Sequence, residues 1–214
     1  KIGPTPTLWY DYDPQDIRRD ITCIPYQWKG GVKIITGMSG GGWSSGKLRY
    51  EWMKRIVTSS NDDGINWQVM RYADIYLMAA EAENQLNGPA NATQYLKPIL
   101  DRALPAAKVS SIIAKASASQ DAFQLVIEDQ RKFEFAGEAL RKVDLMRWSK
   151  LSSKLAETKQ KMTDLANRTG DYANYPEKIY YNVGLDAEST DADGFTVYGL
   201  EEGQTDAEGK ATLR

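Results

Sequence analysis

Apolar positions recur at helical spacing mainly in the middle of the chain. Val69, Ala73, Tyr76 or Leu77, Ala80 and Asn84 form one series, and Tyr72, Ile75, Ala79, Ala82 and Leu86 a second. Together they predict a helix with a wide, alanine-rich apolar surface, suited to close packing on two sides. Asn87-Gly88-Pro89 stops it. The pattern resumes from Ala92 to Leu104, where Asn91 and Gln94 are spaced like a capping box. Pro98 is expected to kink that helix or delay its start. A third helix is predicted over 120–136, capped by Ser119, with Phe123, Val126 or Ile127, Gln130 and Phe133 or Phe135 along its length. A fourth, 138–151, carries Leu140, Val143, Leu145 or Met146, Trp148 and Leu151. Gly137 turns the corner between the last two, because glycine just past a helix end adopts the left-handed closing conformation without a Cβ penalty.

The flanks have other textures. Residues 1–68 are punctuated by proline and glycine and hold five of the six tryptophans. Short extended pieces are predicted over 31–36 and 47–52, and Asp13-Pro14 opens a single helical turn with Asp13 as its cap. From 153 onward the chain is polar. A helix continues over 156–166, strand-like pieces follow at 178–183 and 195–198, and the acidic end from 186 reads as a surface loop or hairpin. The expected fold is mainly α: helical hairpins of the tetratricopeptide kind, at 70–104 and 120–151, packed against an irregular loop-rich region with minor short strands. This divides the chain into an aromatic loop-rich segment (1–68), two helical hairpins (69–152) and a helix extension with an acidic surface loop (153–214).

Composition narrows the chemistry. With 214 residues, 42% hydrophobic and 26% charged, the chain has the content of a folded globular protein, and its net charge of -2 lacks the basic footprint of a nucleic-acid binder. There is no histidine, which removes Ser-His-Asp and Cys-His nucleophilic sites and the commonest metal ligand. The single cysteine, Cys23, lies between apolar residues and is expected to be a buried thiol; no apolar signal segment precedes it as a lipid-attachment site would require. Asp191-x-Asp193-Gly194 echoes part of a calcium loop, but Ser189 and Leu200 occupy two ligand positions and the match fails. No metal or cofactor is expected.

Charge is concentrated in Gln130 to Ser149. Arg131 and Glu134, Glu138 and Arg141, and Asp144 and Arg147 are each three apart, so each pair can meet on a helix face. With Gly137, Trp148 and the neighbouring phenylalanines they are expected to form a partly buried clasp between two helices. A catalytic reading of Glu134, Glu138 and Asp144 is the weaker one, because ion-pair networks at helix junctions are routine and a poised acid needs a cleft.

The same stretch resembles the C-terminal signature of SusD/RagB-type nutrient-binding lipoproteins. So do Asp13-Pro-Gln-Asp-Ile-Arg-Arg-Asp20, the Gly46 to Tyr50 segment, the run from Gly64 to Asn84, and Leu96 to Ala103, in the family's order. The departures are Asp129-Gln130-Arg131 for the usual Glu-Arg-Arg, Ala139 and Ser149 at positions where the pattern has glycine, and Pro98 within a helix. The resemblance implies the C-terminal portion of a longer protein: a binder and not an enzyme. It also implies lipid-anchoring to the extracellular face of a Bacteroidota outer membrane, and partnership with a TonB-dependent SusC-like transporter in glycan uptake. The lipid anchor is not part of this sequence. Trp43, Trp28, Tyr26 and Trp9 have the composition of a sugar-stacking platform. Each serves equally well as an anchor tying a loop to the core. Trp43, among glycines and serines, is expected to be exposed, whereas Trp52, Trp67 and Trp148 are assigned to the core. The alternatives are a helical scaffold that docks the transporter without touching ligand and, last, a glycoside hydrolase with paired carboxylates.

Overall fold

Glycine and proline set the helix boundaries, and small residues set how closely the helices approach. The computed structural model describes residues 3–24, 26–29, 32–36, 43–48, 66–175, 178–181, 197–199 and 211–213. Trp52, the Gly40-Gly41-Gly42 run, the extended piece expected beyond residue 48 and the acidic 186–194 segment lie outside these residues. In chain order the elements are α1 (Pro6–Asp11), α2 (Arg18–Thr22), β1 (Cys23–Ile24), β2 (Tyr26–Lys29), β3 (Val32–Ile35) and β4 (Ser44–Ser45). They continue with α3 (Tyr72–Asn87), α4 (Pro89–Ala103), α5 (Ala106–Ala116), α6 (Gln120–Glu134), α7 (Arg141–Arg147) and α8 (Leu151–Asn167). A 3-10 turn (Gly170–Tyr172) and β5 (Lys178–Tyr181), β6 (Val197–Gly199) and β7 (Ala211–Leu213) complete them. The chain is mainly α, as expected, and it forms two compact units.

One unit comprises Asp13–Arg18 and Trp67–Arg141. Here α3 packs on α4 and α6, and α5 packs on the same two helices. The core joins Ala73, Leu77 and Ala80 of α3 to Leu96, Ile99 and Leu100 of α4 and to Phe123, Val126 and Ile127 of α6. Each such buried Leu, Ile or Phe contributes roughly 1.5–3 kcal/mol. Gly88, at φ 82°, closes α3 by donating its amide to the Asn84 carbonyl at 3.0 Å, and Pro89 then starts α4 directly. The helix therefore begins earlier than the Asn91/Gln94 spacing suggests, since proline is preorganised for the first helical position. Pro98 lies within α4, at an exposed position, without delaying its start.

Two sequence expectations change in this region. The second hairpin is α5 with α6, and not 120–151. Helix α5 turns Val109 and Ala116 into the core and packs on α4 and α6; its sequence, AAKVSSIIAKA, is amphipathic at helical spacing, a signal missed above. The expected helix over 138–151 is broken, α7 ending at Arg147 and α8 opening at Leu151. The cap of α6 is as read, with Ser119 Oγ accepting from the Ala122 amide at 3.0 Å.

The breaks fall at Ala139 (φ 63°) and Ser149 (φ 57°), both in the left-handed region. After α7, the Lys150 amide donates to the Leu145 carbonyl at 2.8 Å and the Ser149 amide to Met146 at 3.0 Å, closing the helix end as a glycine would. A side chain with Cβ is strained there by about 1–2 kcal/mol, partly offset by glycine's greater freedom when unfolded. Ala139→Gly and Ser149→Gly are each expected to raise stability by about 0.5–1 kcal/mol in urea unfolding. Destabilisation by either would show that the side chain contributes more than its backbone costs.

The other unit comprises Lys1–Tyr12, Arg19–Asn66 and Lys142–Arg214. Helix α1, which periodicity missed because it is short, packs on α8, where Lys161 Nζ meets Asp11 at 2.8 Å. Strands β1 and β4 pair antiparallel, and β2 and β3 form a hairpin with Tyr26 opposite Ile35 and Lys29 opposite Val32. β5 is flanked by β6 and β7, both antiparallel to it, so the terminal region includes a small three-stranded sheet. Asp13, in the first unit, caps no helix; its carboxylate accepts from the Gln15 amide at 2.9 Å and holds a turn.

Candidate functional site

The C-terminus of α6 places Glu134 in the core of its unit, where a lone carboxylate would be costly to desolvate. Three guanidinium groups offset that cost. Arg71 Nη1 donates to Oε1 at 2.8 Å, Arg18 Nη1 to Oε2 at 3.2 Å, and Arg102 Nη2 also to Oε2. Arg71 further reaches both oxygens of Glu138 at 2.8 and 2.9 Å and the Glu134 carbonyl at 2.9 Å. Arg18 in turn is held by Asp16, at 2.6 Å, and by Gln130 Oε1, at 2.8 Å. Alongside, Arg131 donates to Asp74 at 2.7 Å, and Arg71 and Arg131 lie over the Phe135 ring at 5.0 and 4.9 Å. The cluster ties the turn before α3, α4, α6 and the Asp16–Arg18 turn to one point.

Burial alone would raise the Glu134 carboxyl, but Arg102, Arg71 and Arg18 outweigh it and hold the group below the ordinary carboxylate value. A general acid needs the opposite shift. Glu134 is thus suited to hold structure and unsuited to donate a proton.

The sequence-predicted clasp residues divide between the two units. Arg131, Glu134, Gly137, Glu138 and Arg141 lie in the first; Gly137 takes φ 82° and Arg141 donates to the Glu128 carbonyl at 2.9 Å, joining the start of α7 to α6. Asp144 and Arg147, in the second, meet at 3.0 Å, and Arg147 stacks on Trp148 at 4.4 Å. Arg18, Arg71, Arg102, Asp16 and Asp74 were missed, although Asp16, Arg18, Arg71, Asp74 and Arg102 all lie within the motifs quoted for the family resemblance or beside them. Spacing rules reach only a helical turn, and these partners lie tens of residues away in sequence.

Three of the four aromatic candidates turn inward. Trp43 is 2% exposed and Trp9 and Tyr26 are also buried, so the expected exposure of Trp43 is corrected. Its neighbouring Ser44–Ser45 strand pairs with β1, which carries the indole into the core; Trp9 meets it edge-on at 6.3 Å and Arg19 covers Trp9 at 4.5 Å. The Trp28 backbone lies in β2 opposite Lys33. Trp67, assigned to the core, is 54% exposed, because α3 does not begin until Tyr72. Tyr10, Tyr172 and Tyr175 form a second aromatic group, with Tyr10 and Tyr175 stacked at 5.1 Å. Cys23 is buried, and burial pushes its thiol well above the ordinary range. Among the described residues no cluster of three metal-ligating side chains occurs. An open groove of about 550 Å³ along α8 passes Leu155, Lys159 and Met162; no described carboxylate lines it, so it offers no acid–base pair.

Comparison with known proteins places these features in context. The sequence profile of the SusD family matches residues 27–192. A SusD-like protein of Formosa agariphila is 47% identical over 107 residues, which cover 47% of this chain and 20% of that relative. The aligned segment is thus about a fifth of the relative's length. No solved structure matches the chain.

Proposed function

We propose that this chain, which belongs to the SusD family, forms part of a cell-surface nutrient-binding lipoprotein that passes glycans to a TonB-dependent transporter of the outer membrane. The family profile over residues 27–192 is the observation that carries this reading. The described site chemistry supports a binder over a hydrolase: Glu134 and Glu138 are paired with arginines, and among the described residues no acid lines the α8 groove. No described helix is long and apolar enough to cross a membrane, and attachment to the extracellular face would come from a lipid anchor.

The burial of Trp9, Tyr26 and Trp43 favours a second reading for this region, that it acts as the helical scaffold while ligand contact comes from elsewhere in the protein. Isothermal titration of the purified chain with a panel of oligosaccharides separates the two. Saturable heat supports direct ligand contact. Absence of heat, with retention of the transporter in a pull-down, supports the scaffold. Failure of both measurements would overturn the proposal as a whole.

A further inference from the structure

The sequence contains a single Asn-Gly pair, Asn87-Gly88, and the fold places it at the corner between α3 and α4. Asparagine before glycine is the pair most prone to lose its side-chain amide, because glycine has no Cβ to hinder its amide nitrogen from attacking the asparagine Cγ. Asn87 is exposed, so water and base reach it. Two features hold the reaction back. Asn87 is the last helical residue of α3, and ring closure requires it to leave that backbone conformation. The attacking nitrogen is also engaged, since the Gly88 amide donates to the Asn84 carbonyl at 3.0 Å. The corner is itself tied down. Gln120 Nε2 donates to the Asn84 carbonyl at 2.7 Å and to that of Gln85 at 3.0 Å. Asn84 Nδ2 returns a bond to the Gln120 carbonyl at 2.9 Å, joining the end of α3 to the start of α6.

We propose that Asn87 is a deamidation site gated by opening of this corner, and that its conversion loosens the corner irreversibly. When the end of α3 opens, the Gly88 nitrogen bonds to Cγ of Asn87 and the Cγ–Nδ2 bond breaks. Ammonia leaves with the proton that the Gly88 nitrogen gives up. Water then opens the resulting succinimide at either carbonyl, giving aspartate or isoaspartate at position 87, and no other reactant enters. Both products weaken the closed corner. In the folded chain Asn87 Nδ2 donates to Glu83 Oε1 at 2.8 Å. An aspartate there removes the donor and sets two carboxylates one helical turn apart. It also adds negative charge at the C-terminus of α3, the negative end of its dipole. An isoaspartate routes the main chain through the former side chain, which lengthens it by a methylene and displaces the Gly88 amide from the Asn84 carbonyl.

Peptide mapping by mass spectrometry follows conversion at position 87 while the purified chain is incubated in mildly alkaline buffer, folded or in guanidinium chloride. The folded chain should convert at least about tenfold more slowly than the unfolded one, because only the open fraction reacts. Gln120→Ala keeps Asn87 and Gly88 but removes two bonds that hold the corner. It should speed conversion in the folded chain and leave the unfolded rate unchanged. The converted chain should unfold at a lower urea concentration than fresh chain, whereas Asn87→Gln should show no such drift over the same incubation. Equal rates folded and unfolded, no conversion at position 87 in the unfolded chain, a folded rate unmoved by Gln120→Ala, or an unfolding midpoint unaltered by conversion would each overturn the proposal.

Discussion

Replacing Glu134 with glutamine is expected to lower the stability of the folded chain by about 3–5 kcal/mol, the range for breaking a buried ion pair. The substitution keeps the shape and removes the charge, leaving Arg71, Arg18 and Arg102 to share Asp16 and Glu138. Urea unfolding at neutral pH measures the loss. The pH dependence supplies an independent check. The folded Glu134 carboxyl lies below its ordinary value despite burial, because three arginines hold the charged form. A carboxyl depressed in the folded state contributes stability above its unfolded value, about 4.3, and that contribution is lost as pH falls through the folded value. The gap between the native chain and Glu134→Gln should therefore be full near pH 7 and narrow progressively below about pH 4. A gap of the same size from pH 7 to pH 2, or a cost under about 1 kcal/mol, would remove Glu134 from the centre of the clasp.

Trp43→Ala is expected to cost about 3–5 kcal/mol, because the indole is 2% exposed and its removal opens a cavity beside Trp9. Trp43→Phe should cost far less, within about 1.5 kcal/mol, since most of the packing is kept. Among the described residues the buried Trp43 Nε1 has no hydrogen-bond partner, so no such bond is lost with it. Thermal and urea unfolding of both variants decide the matter. A Trp43→Ala chain with unchanged stability would return this side chain to the surface, and with it the case for a sugar platform in this region.

These two residues show how differently parts of the chain can be read. Glu134 and Arg131 stood out as charged neighbours among aromatic residues on a helix. That local view identified a structural clasp and assigned pairs one turn apart. Asp144 with Arg147 follows that rule; Glu134 draws its partners from Arg18, Arg71 and Arg102, which only chain folding brings near. Trp43 was misread because glycine and serine neighbours suggest a surface loop, whereas strand pairing of Ser44–Ser45 with Cys23–Ile24 decides which way the indole faces.

The sequence by itself determined the helical centre of the chain, the stops at Gly88 and Gly137, the Ser119 cap and the membership of a family. All of these rest on periodicity, on φ preferences and on short motifs, which act within a turn or two of their own residues. It also marked Ala139 and Ser149 as positions where glycine is missing, and the structure puts both in left-handed backbone. Only the tertiary structure decided the split between α7 and α8, the three-arginine environment of Glu134 and the burial of Trp43. Those depend on long-range contacts. A residue's exposure and charge environment are set by whichever distant segments pack against it, and no local pattern encodes them.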